Sequence, residues 1–197
     1  MIKNLIFDVG NVLLGYQWFK MVLDYGMSEE DAQFMGKNIF EDEHWLMFDA
    51  GKISMEDLIE YYVQKMPDME MWVRKFFSEP KKMLILRPDV WDEVARLKAA
   101  GYKIYLLSNY SEELFTIHTE GTPILELADG KVVSYMIHEI KPYPSIYQYL
   151  LDTYKLDASE CIFFDDREEN VKGGEALGIA GVIVESEEQL LGELRKL

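Results

Sequence analysis

The stretch that decides the fold is Leu5-Ile6-Phe7-Asp8-Val9-Gly10-Asn11-Val12-Leu13-Leu14. The largely apolar run from Ile2 to Phe7 predicts a buried strand that ends where Asp8 appears. A carboxylate is costly to bury at the end of a strand unless a charged partner meets it. Gly10 and Asn11 both tolerate positive φ, so they predict a sharp turn beside the acid. The sequence therefore predicts an acidic group at the mouth of a sheet.

The length and composition suit one core domain with an insertion. The chain has 197 residues, 49% of them hydrophobic, and no apolar run approaches the length of a membrane span. Its N-terminus lacks the features of a signal peptide. Because Cys161 is the one cysteine, no disulfide can form within the chain, which suits a reducing compartment. We therefore expect a cytoplasmic protein.

The charge of the chain limits its partners. The formal net charge is −16 at pH 7, which argues against binding to nucleic acid or to an anionic membrane surface. A small phosphorylated substrate stays compatible with this charge, because a local cation can reverse the field inside one cleft. The oligomeric state is left open by the sequence.

Residues 16–83 are predicted to form a series of helices. Their apolar side chains recur at helical spacing, and no strand pattern appears among them. Ser28 and Ser54 stand before acidic residues in the way typical of helix N-termini. The predicted helices are Trp18–Asp24, Glu29–Phe40, Met55–Met66 and Met69–Phe77. We interpret the segment as a small helical subdomain inserted after the first strand.

The rest of the chain alternates between strands and helices, which indicates a parallel sheet with right-handed crossovers. The predicted fold is α/β: a three-layer, Rossmann-like core made of residues 1–15 and 84–197, with the helical segment inserted. The later predicted strands are Lys103–Leu107, Lys131–Ile137, Cys161–Phe164 and Ala180–Val184. The predicted helices between and after them are Val90–Ala100, Ser111–His118, Pro144–Tyr154, Asn170–Leu177 and Ser186–Lys196.

Polar side chains recur where the predicted strands end. Asp8 follows the first strand, Ser108 and Asn109 lie at the end of the second, and Asp165 and Asp166 end the fourth. The carboxyl ends of parallel strands lie at one edge of the sheet, where open α/β sheets bind ligands. Converging carboxylates repel one another unless a divalent cation sits between them, and oxygen ligands suit Mg²⁺.

Two of the neighbouring residues suit phosphate. Ser108 can donate a hydrogen bond to a phosphate oxygen, and Lys141, held in an extended approach by Pro142, supplies positive charge. Taken singly, each residue has an ordinary explanation, such as a helix cap for Ser108 and a solvated surface position for Lys141. Their joint occurrence with the acids at strand ends favours a functional site.

Four motifs resemble those of the haloacid dehalogenase-like (HAD) hydrolase superfamily, in the family's order and over essentially the whole chain. Phe7-Asp8-Val9-Gly10-Asn11-Val12 resembles the motif of the nucleophilic aspartate, and Leu106-Leu107-Ser108-Asn109 the motif of the phosphate-binding serine or threonine. Lys141 in Glu139-Ile140-Lys141-Pro142 resembles the third motif, and Phe163–Asn170 resembles the fourth, which carries the acidic metal-binding pair. The helical insertion, residues 16–83, resembles the cap of the family's first cap class.

The resemblance implies a phosphatase mechanism. Asp8 attacks phosphorus and becomes an aspartyl phosphate, which water then hydrolyses. Lys141, Ser108 and backbone amides spread the developing charge. The implied cofactor is Mg²⁺, with Mn²⁺ as an alternative, and the implied partner is a small phosphorylated metabolite. The implied metal ligands are Asp8, the Gly10 carbonyl, Asp165 and Asp166, with Asp166 the stronger of the pair, and the implied substrate-binding residues are Ser108, Asn109 and Asn11.

Gly10 departs from the pattern of most phosphatases of the family, which carry a second aspartate there as general acid and base. A glycine carbonyl can bind a metal but cannot shuttle a proton, and a missing acid/base typically costs about 10²–10⁴ in rate. A subgroup of sugar-phosphate phosphatases similar to this chain shares the Asp-x-Gly-Asn pattern, which keeps activity compatible with the sequence. A cap residue or water then supplies the proton, or the leaving group needs little acid help.

Two other functions stay open. A 2-haloacid dehalogenase also lacks the second aspartate but needs no metal, so the acidic pair Asp165-Asp166 favours a phosphatase. A non-catalytic protein that binds metal or phosphate is the other alternative, and an intact Asp8 argues against it. The substrate itself, a sugar phosphate among the options, is expected to be chosen by the cap and by the entrance near Tyr16, Gln17 and Trp18.

Overall fold

A five-stranded parallel sheet forms the centre of the computed structural model, which describes residues 1–197. The strands of the chain are β1 (Asn4–Phe7), β2 (Leu14–Tyr16), β3 (Leu84–Leu86), β4 (Lys103–Ser108), β5 (Gly130–Val133), β6 (Cys161–Asp165) and β7 (Ala180–Ile183). The sheet has the order β5-β4-β1-β6-β7, and all its neighbouring strands are parallel. Strands β2 and β3 form a separate antiparallel pair.

Helices cover the sheet and fill the insertion. They are α1 (Trp18–Asp24), α2 (Glu29–Phe40), α3 (Glu43–Asp49), α4 (Met55–Lys65), α5 (Glu70–Ser78), α6 (Pro88–Ala99), α7 (Glu112–Thr119), α8 (Ile124–Leu127), α9 (Ser134–Ile137), α10 (Pro144–Tyr154), α11 (Glu168–Glu175) and α12 (Glu187–Leu194). None of these helices combines the length and the apolar character that crossing a membrane requires.

Strand β1 is buried on both faces, because its alternate side chains enter two different cores. Leu5 and Phe7 belong to the larger hydrophobic cluster, which also contains residues of α6 and α12. Ile6 belongs to a second cluster, which contains the buried face of α10. The sheet is thus flanked by helices, and the prediction of a Rossmann-like α/β fold is confirmed.

The central position of β1 decides where the first acid lies. Phe7 pairs in register with Leu106 of β4 and with Phe164 of β6. Its ring also stacks on the Phe164 ring, with centroids 5.0 Å apart. Asp8 follows directly, so its side chain stands between the carboxyl ends of two neighbouring strands.

The helical segment leaves and re-enters the sheet part beside the β2–β3 pair, close to the predicted boundaries at residues 16 and 83. The division into core and cap stays a prediction. Helix α3 was not predicted; the Asp42 side chain caps it by accepting a hydrogen bond from the His44 amide. Helix α8 was not predicted either, because its stretch has no clear periodic pattern.

One predicted strand is wrong in its second half. Strand β5 ends at Val133, which pairs with the last residue of β4, and Ser134 begins α9 instead. The ladder stops because the Ser134 hydroxyl accepts from the Tyr110 amide at 2.8 Å and also donates to the Asp49 carbonyl. The chain therefore turns towards the helical segment at this point.

Candidate active site

Three carboxylates meet at the carboxyl ends of β1 and β6. One oxygen from each of Asp8, Asp165 and Asp166 lies within 4.8 Å of the others. The Asp8 amide donates to the Phe164 carbonyl at 2.9 Å, which fixes the two strand ends side by side. The predicted convergence of the acids is therefore present in the structure.

The contacts of the Asp8 carboxylate all fall on one of its oxygens. Oδ1 accepts from the Val9 amide at 2.7 Å and from the Ser108 hydroxyl at 2.5 Å, and it lies 3.0 Å from Lys141 Nζ. Oδ2 has no hydrogen-bond partner and is free to react. Burial raises the pKa of Asp8 to about 7, although the nearby Lys141 acts in the opposite direction.

Lys141 is a buried cation that joins two of the acids. Its Nζ donates to Asp165 Oδ2 at 2.6 Å and to the Leu107 carbonyl at 2.9 Å, and its side chain has no exposed surface. Burial alone lowers the pKa of an ammonium group, but Asp165 and Asp8 outweigh that effect, so the pKa of Lys141 is raised. The lysine is therefore a charged group directly beside Asp8.

Asn109 holds the backbone of Lys141 from both sides. Its Nδ2 donates to the Lys141 carbonyl at 3.0 Å, and its Oδ1 accepts from the Lys141 amide at 2.8 Å. Asn109 also lines the cavity above Asp8. Its amide is nevertheless engaged at both ends, so its main observed contact is with the lysine.

The two acids after β6 have different environments. Asp165 is fully buried; its Oδ1 accepts from the Arg167 amide and from Asn170, and its Oδ2 accepts from Lys141 and Asn170. Asp166 lines the cavity and accepts a hydrogen bond from Asn11 Nδ2 at 2.9 Å. Burial raises the pKa of Asp166. Asp166 is therefore the acid of the pair that faces a ligand.

A cavity of about 500 Å³ opens above these acids. Its floor comes from the sheet edge and much of its wall from the helical segment. The apolar wall consists of Trp18, Phe40, Trp45, Leu46, Met83 and Leu114. The remaining lining residues are polar, aromatic or charged: Asp8, Gly10, Asn11, Tyr16, Asp49, Asn109, Tyr110, His118, Lys141, Asp166, Arg167 and Asn170.

Most of the predicted site residues line this cavity, but two lie behind it. Ser108 has no exposed surface and donates its hydroxyl to Asp8, so it contacts the candidate nucleophile from the sheet side. Asp165 is likewise buried beneath Lys141. Of the three entrance residues, Tyr16 and Trp18 line the cavity and Gln17 does not.

The turn after Asp8 differs from the prediction in its geometry. Asn11 has a φ of 54°, whereas Gly10 does not adopt positive φ. Arg87 Nη1 donates to the carbonyls of Asn11 and Val12 at 2.6 and 3.0 Å and so fixes the turn. A Cβ on Gly10 would lie 3.0 Å from Tyr16 Cε2. The Tyr16 ring, and not the backbone conformation, is therefore what favours glycine at this position.

We expect Gly10→Ala to destabilise the protein by about 1–3 kcal/mol, the usual cost of forcing an extra carbon into a packed site. The Tyr16 ring has little room to yield, because its hydroxyl is hydrogen-bonded to Tyr110. Urea unfolding of both proteins measures the difference. Gly192→Ala is the control, since a Cβ there meets nothing within 4 Å. Adding Tyr16→Leu should recover part of the loss, and an equally large loss without the ring would contradict the explanation.

Several cavity residues were not found from the sequence. Asp49 lies at the end of α3, a helix whose signal is its Asp42 cap. Arg167 and Asn170 follow the acidic pair within its own motif, so their positions could have indicated them. Tyr110 follows the second motif in the same way, while nothing in the sequence connects His118 with the cavity.

Comparison with known proteins gives relatives that match nearly the whole chain. The chain is 28% identical to a sesquiterpene phosphatase from Aspergillus oryzae, over 99% of this chain and 96% of that protein. It is 26% identical to a D-ribitol-5-phosphate phosphatase from Bacteroides thetaiotaomicron, over 90% of this chain and 89% of that protein.

Solved structures share the fold. A HAD family enzyme from Bacteroides thetaiotaomicron, in complex with magnesium and inorganic phosphate, has a TM-score of 0.75 and 21% identity and covers 94% of this chain and 96% of its own. The L-2-haloacid dehalogenase from Xanthobacter autotrophicus has a TM-score of 0.69 and 19% identity, and the match covers 100% of this chain and 83% of that chain. A family model for haloacid dehalogenase-like hydrolases matches residues 2–178. The chain therefore belongs to the haloacid dehalogenase-like hydrolases, as its four motifs predict.

Proposed function

We propose that this hydrolase cleaves phosphate monoesters of small metabolites through an aspartyl phosphate on Asp8, with Mg²⁺ as its cofactor. The observation that carries the proposal is the difference in hydrogen bonding between the two oxygens of the Asp8 carboxylate. Its Oδ1 is held by three partners, and its Oδ2 is free at the floor of the cavity. Named phosphatases among the relatives support the same reaction.

The chain's own residues prepare Asp8 for attack on phosphorus. Ser108 and the Val9 amide orient the carboxylate, so Oδ2 can form a bond to phosphorus as the ester P–O bond breaks. The positive charge of Lys141 next to Oδ1 favours the approach of a phosphate dianion. Asp165 and Asn109 keep that lysine in place.

The donor set suits a magnesium ion. Carboxylate oxygens of Asp8 and Asp166, together with the Gly10 carbonyl, are hard oxygen ligands of the kind that Mg²⁺ prefers. Asp165 is a poorer candidate, because it is fully buried against Lys141 and does not line the cavity. When bound, the ion would neutralise charge on the phosphoryl oxygens. Substitution of Asp166 by alanine tests whether Asp166 is the magnesium ligand of the acidic pair.

We expect Asp166→Ala to raise the Mg²⁺ concentration needed for activity by at least the roughly 10–100-fold that loss of outer-shell partners causes. The measurement is a magnesium titration of kcat/KM, with magnesium binding followed by calorimetry. Glu168→Ala, an exposed neighbour, should behave as wild type. EDTA should inhibit the wild type, and full activity in EDTA would contradict the metal assignment.

A panel of phosphate monoesters with Mg²⁺ and with Mn²⁺ tests the function itself. Sugar phosphates and apolar phosphates both belong in the panel, since the named relatives act on a sugar alcohol phosphate and on a sesquiterpene. Turnover of chloroacetate without metal would favour a dehalogenase instead. Trapping of Asp8 by beryllofluoride without turnover of any ester would favour a non-catalytic binding protein.

A further inference from the structure

We propose that Asp49, at the end of helix α3, is the general acid and base of this active site. It would supply the proton that Gly10, two residues after the nucleophile, cannot supply. This inference rests on the proposed phosphatase function. It assigns a catalytic role to a residue of the helical segment that none of the four motifs contains.

The Tyr16 hydroxyl occupies the space beside Gly10, but its proton is donated to the Tyr110 hydroxyl. His118 Nε2 lies 3.1 Å from the Pro80 carbonyl, which can only accept, so Nε2 carries the ring proton. His118 Nδ1 must then accept from the Tyr110 hydroxyl at 2.8 Å. Tyr110 in turn can only accept from Tyr16. The Tyr16 oxygen therefore offers an acceptor, and not a donor, to a bound ester.

The protonation states of His118 and Tyr16 maintain this direction of hydrogen bonding, from Tyr16 through Tyr110 to His118. Burial lowers the pKa of His118 to about 4, so the ring stays neutral and Nδ1 stays an acceptor. Burial, together with the neighbouring Tyr110, holds the pKa of Tyr16 well above its ordinary value. Tyr16 is thus a poor source of a proton at neutral pH, and the acid must come from elsewhere in the cavity.

Asp49 is the one carboxyl group of the helical segment that lines this cavity. It shares the lining with Asp8 and Lys141, and it makes no hydrogen bond or ion pair with the three acids of the sheet edge. The Trp45 indole, one turn earlier on α3, acts to lower the pKa of this carboxyl. The carboxyl is therefore available to a leaving group that enters from the cavity.

The sheet part holds the backbone of Asp49 over the site. The Ser134 hydroxyl donates to the Asp49 carbonyl, and the His138 ring is bonded through Nδ1 to the Ala50 carbonyl at 2.9 Å. Both residues follow β5, which belongs to the same sheet as β1, the strand that precedes Asp8. This attachment gives Asp49 the fixed position that proton transfer requires.

The charges around Asp49 favour its protonated form. Burial and the negative charge of Asp8 raise the pKa of Asp49 to about 7, while Lys141 and Arg167 act in the opposite direction. An acid with a pKa near neutrality is well matched to both donating and accepting a proton.

The proton balance of the two steps is simple. As Asp8 Oδ2 bonds to phosphorus, the electron pair of the breaking P–O bond passes to the leaving oxygen, which takes the proton from Asp49. In the second step the Asp49 carboxylate takes a proton from the water that attacks phosphorus, and the bond between phosphorus and Asp8 Oδ2 breaks. One water is consumed, and alcohol and phosphate leave.

Asp49→Asn tests the proposal through a leaving-group series. We expect a loss of about 10²–10⁴ in kcat/KM for alkyl phosphates, which need a proton, and a much smaller loss for p-nitrophenyl phosphate. The parameter is kcat/KM because it reports the step in which the leaving group departs, whereas hydrolysis of the aspartyl phosphate is common to all esters. The decline of the wild-type rate at alkaline pH, where Asp49 loses its proton, should disappear in the variant with alkyl phosphates. Glu43→Gln, an exposed acid on the same helix, should match the wild type, and Asp49→Glu should keep part of the leaving-group tolerance.

The possible results distinguish failure of the role of Asp49 from failure of the proposed phosphatase function. An unchanged leaving-group dependence of kcat/KM in Asp49→Asn, or an equal loss in kcat/KM for all esters in a variant that melts like the wild type, overturns the role of Asp49 and leaves the phosphatase function standing. A steeper dependence in Tyr16→Phe would assign the proton to the tyrosine and overturn it also. If the wild type neither hydrolyses any monoester nor forms a phosphoenzyme, the proposed function itself fails.

Discussion

Asp8→Asn is expected to abolish phosphate-ester hydrolysis, with a loss of at least about 10⁴ in kcat, the scale on which loss of a nucleophile acts. An amide cannot form the aspartyl phosphate. The fold should persist, because the amide oxygen can take the place of Oδ1 towards Val9, Ser108 and Lys141. The amide nitrogen then replaces Oδ2, which has no partner to lose.

The measurement for Asp8→Asn combines kinetics with detection of the intermediate. Rapid quench and mass spectrometry should find a phosphorylated peptide containing Asp8 in the wild type and none in the variant. Thermal melts in EDTA should show no loss of stability, since one of three converging carboxylates has become neutral. Turnover near the wild-type level would remove Asp8 from the nucleophile position.

Lys141→Met is expected to cost both activity and stability. The lysine is the shared partner of Asp8 and Asp165, and its side chain is fully buried. Removing one partner of a buried ion pair typically destabilises by about 3–5 kcal/mol, because it leaves an uncompensated charge. Methionine keeps most of the side-chain volume, so the loss of stability measures the effect of the missing charge and not that of a cavity. Lys172→Met, an exposed lysine paired with Glu168 one turn away, should change stability by less than about 1 kcal/mol.

The loss in the free energy of unfolding caused by Lys141→Met should depend on pH, because it involves the protonation of Asp8. The pKa of Asp8 is raised to about 7 by burial, and Lys141 lowers it, so removal of the lysine raises it further. The folded variant then binds more protons than the unfolded chain, where the ordinary pKa is 3.8. Its free energy of unfolding therefore rises as the pH falls through this window. Urea melts in EDTA should show a smaller deficit at about pH 5 than at about pH 8, and a deficit that grows on acidification would contradict the ion-pair explanation.

The sheet and its acids were predictable because each strand carries its own signal. A short apolar run marks a strand buried on both faces, and the polar residue that ends it marks the sheet edge. The parallel topology then brings Asp8 and Asp166 together without any knowledge of the intervening residues. Helix α10, between a proline and Tyr154, also has the predicted bounds.

The rest of the site depends on contacts between distant parts of the chain. Asp49 enters the cavity only because Ser134 and His138, far along the sequence, hold the end of α3. The Gly10 requirement similarly arises from Tyr16 and its buried partner Tyr110. Neither contact leaves a periodic pattern or a local motif, so a sequence alone has no physical signal for them.

The central place of β1 also ties the assembly of the site to the folding of the whole chain. Asn4 and Cys161 face each other in register although they are 157 positions apart. Pairing over so long a separation closes a large loop and makes folding slow. The Asp8 amide, bonded to Phe164, should consequently exchange its hydrogen only when the entire sheet opens. We therefore expect a nascent or partly unfolded chain to lack the site, since the surroundings of Asp8 come from strands that pair over most of the chain length.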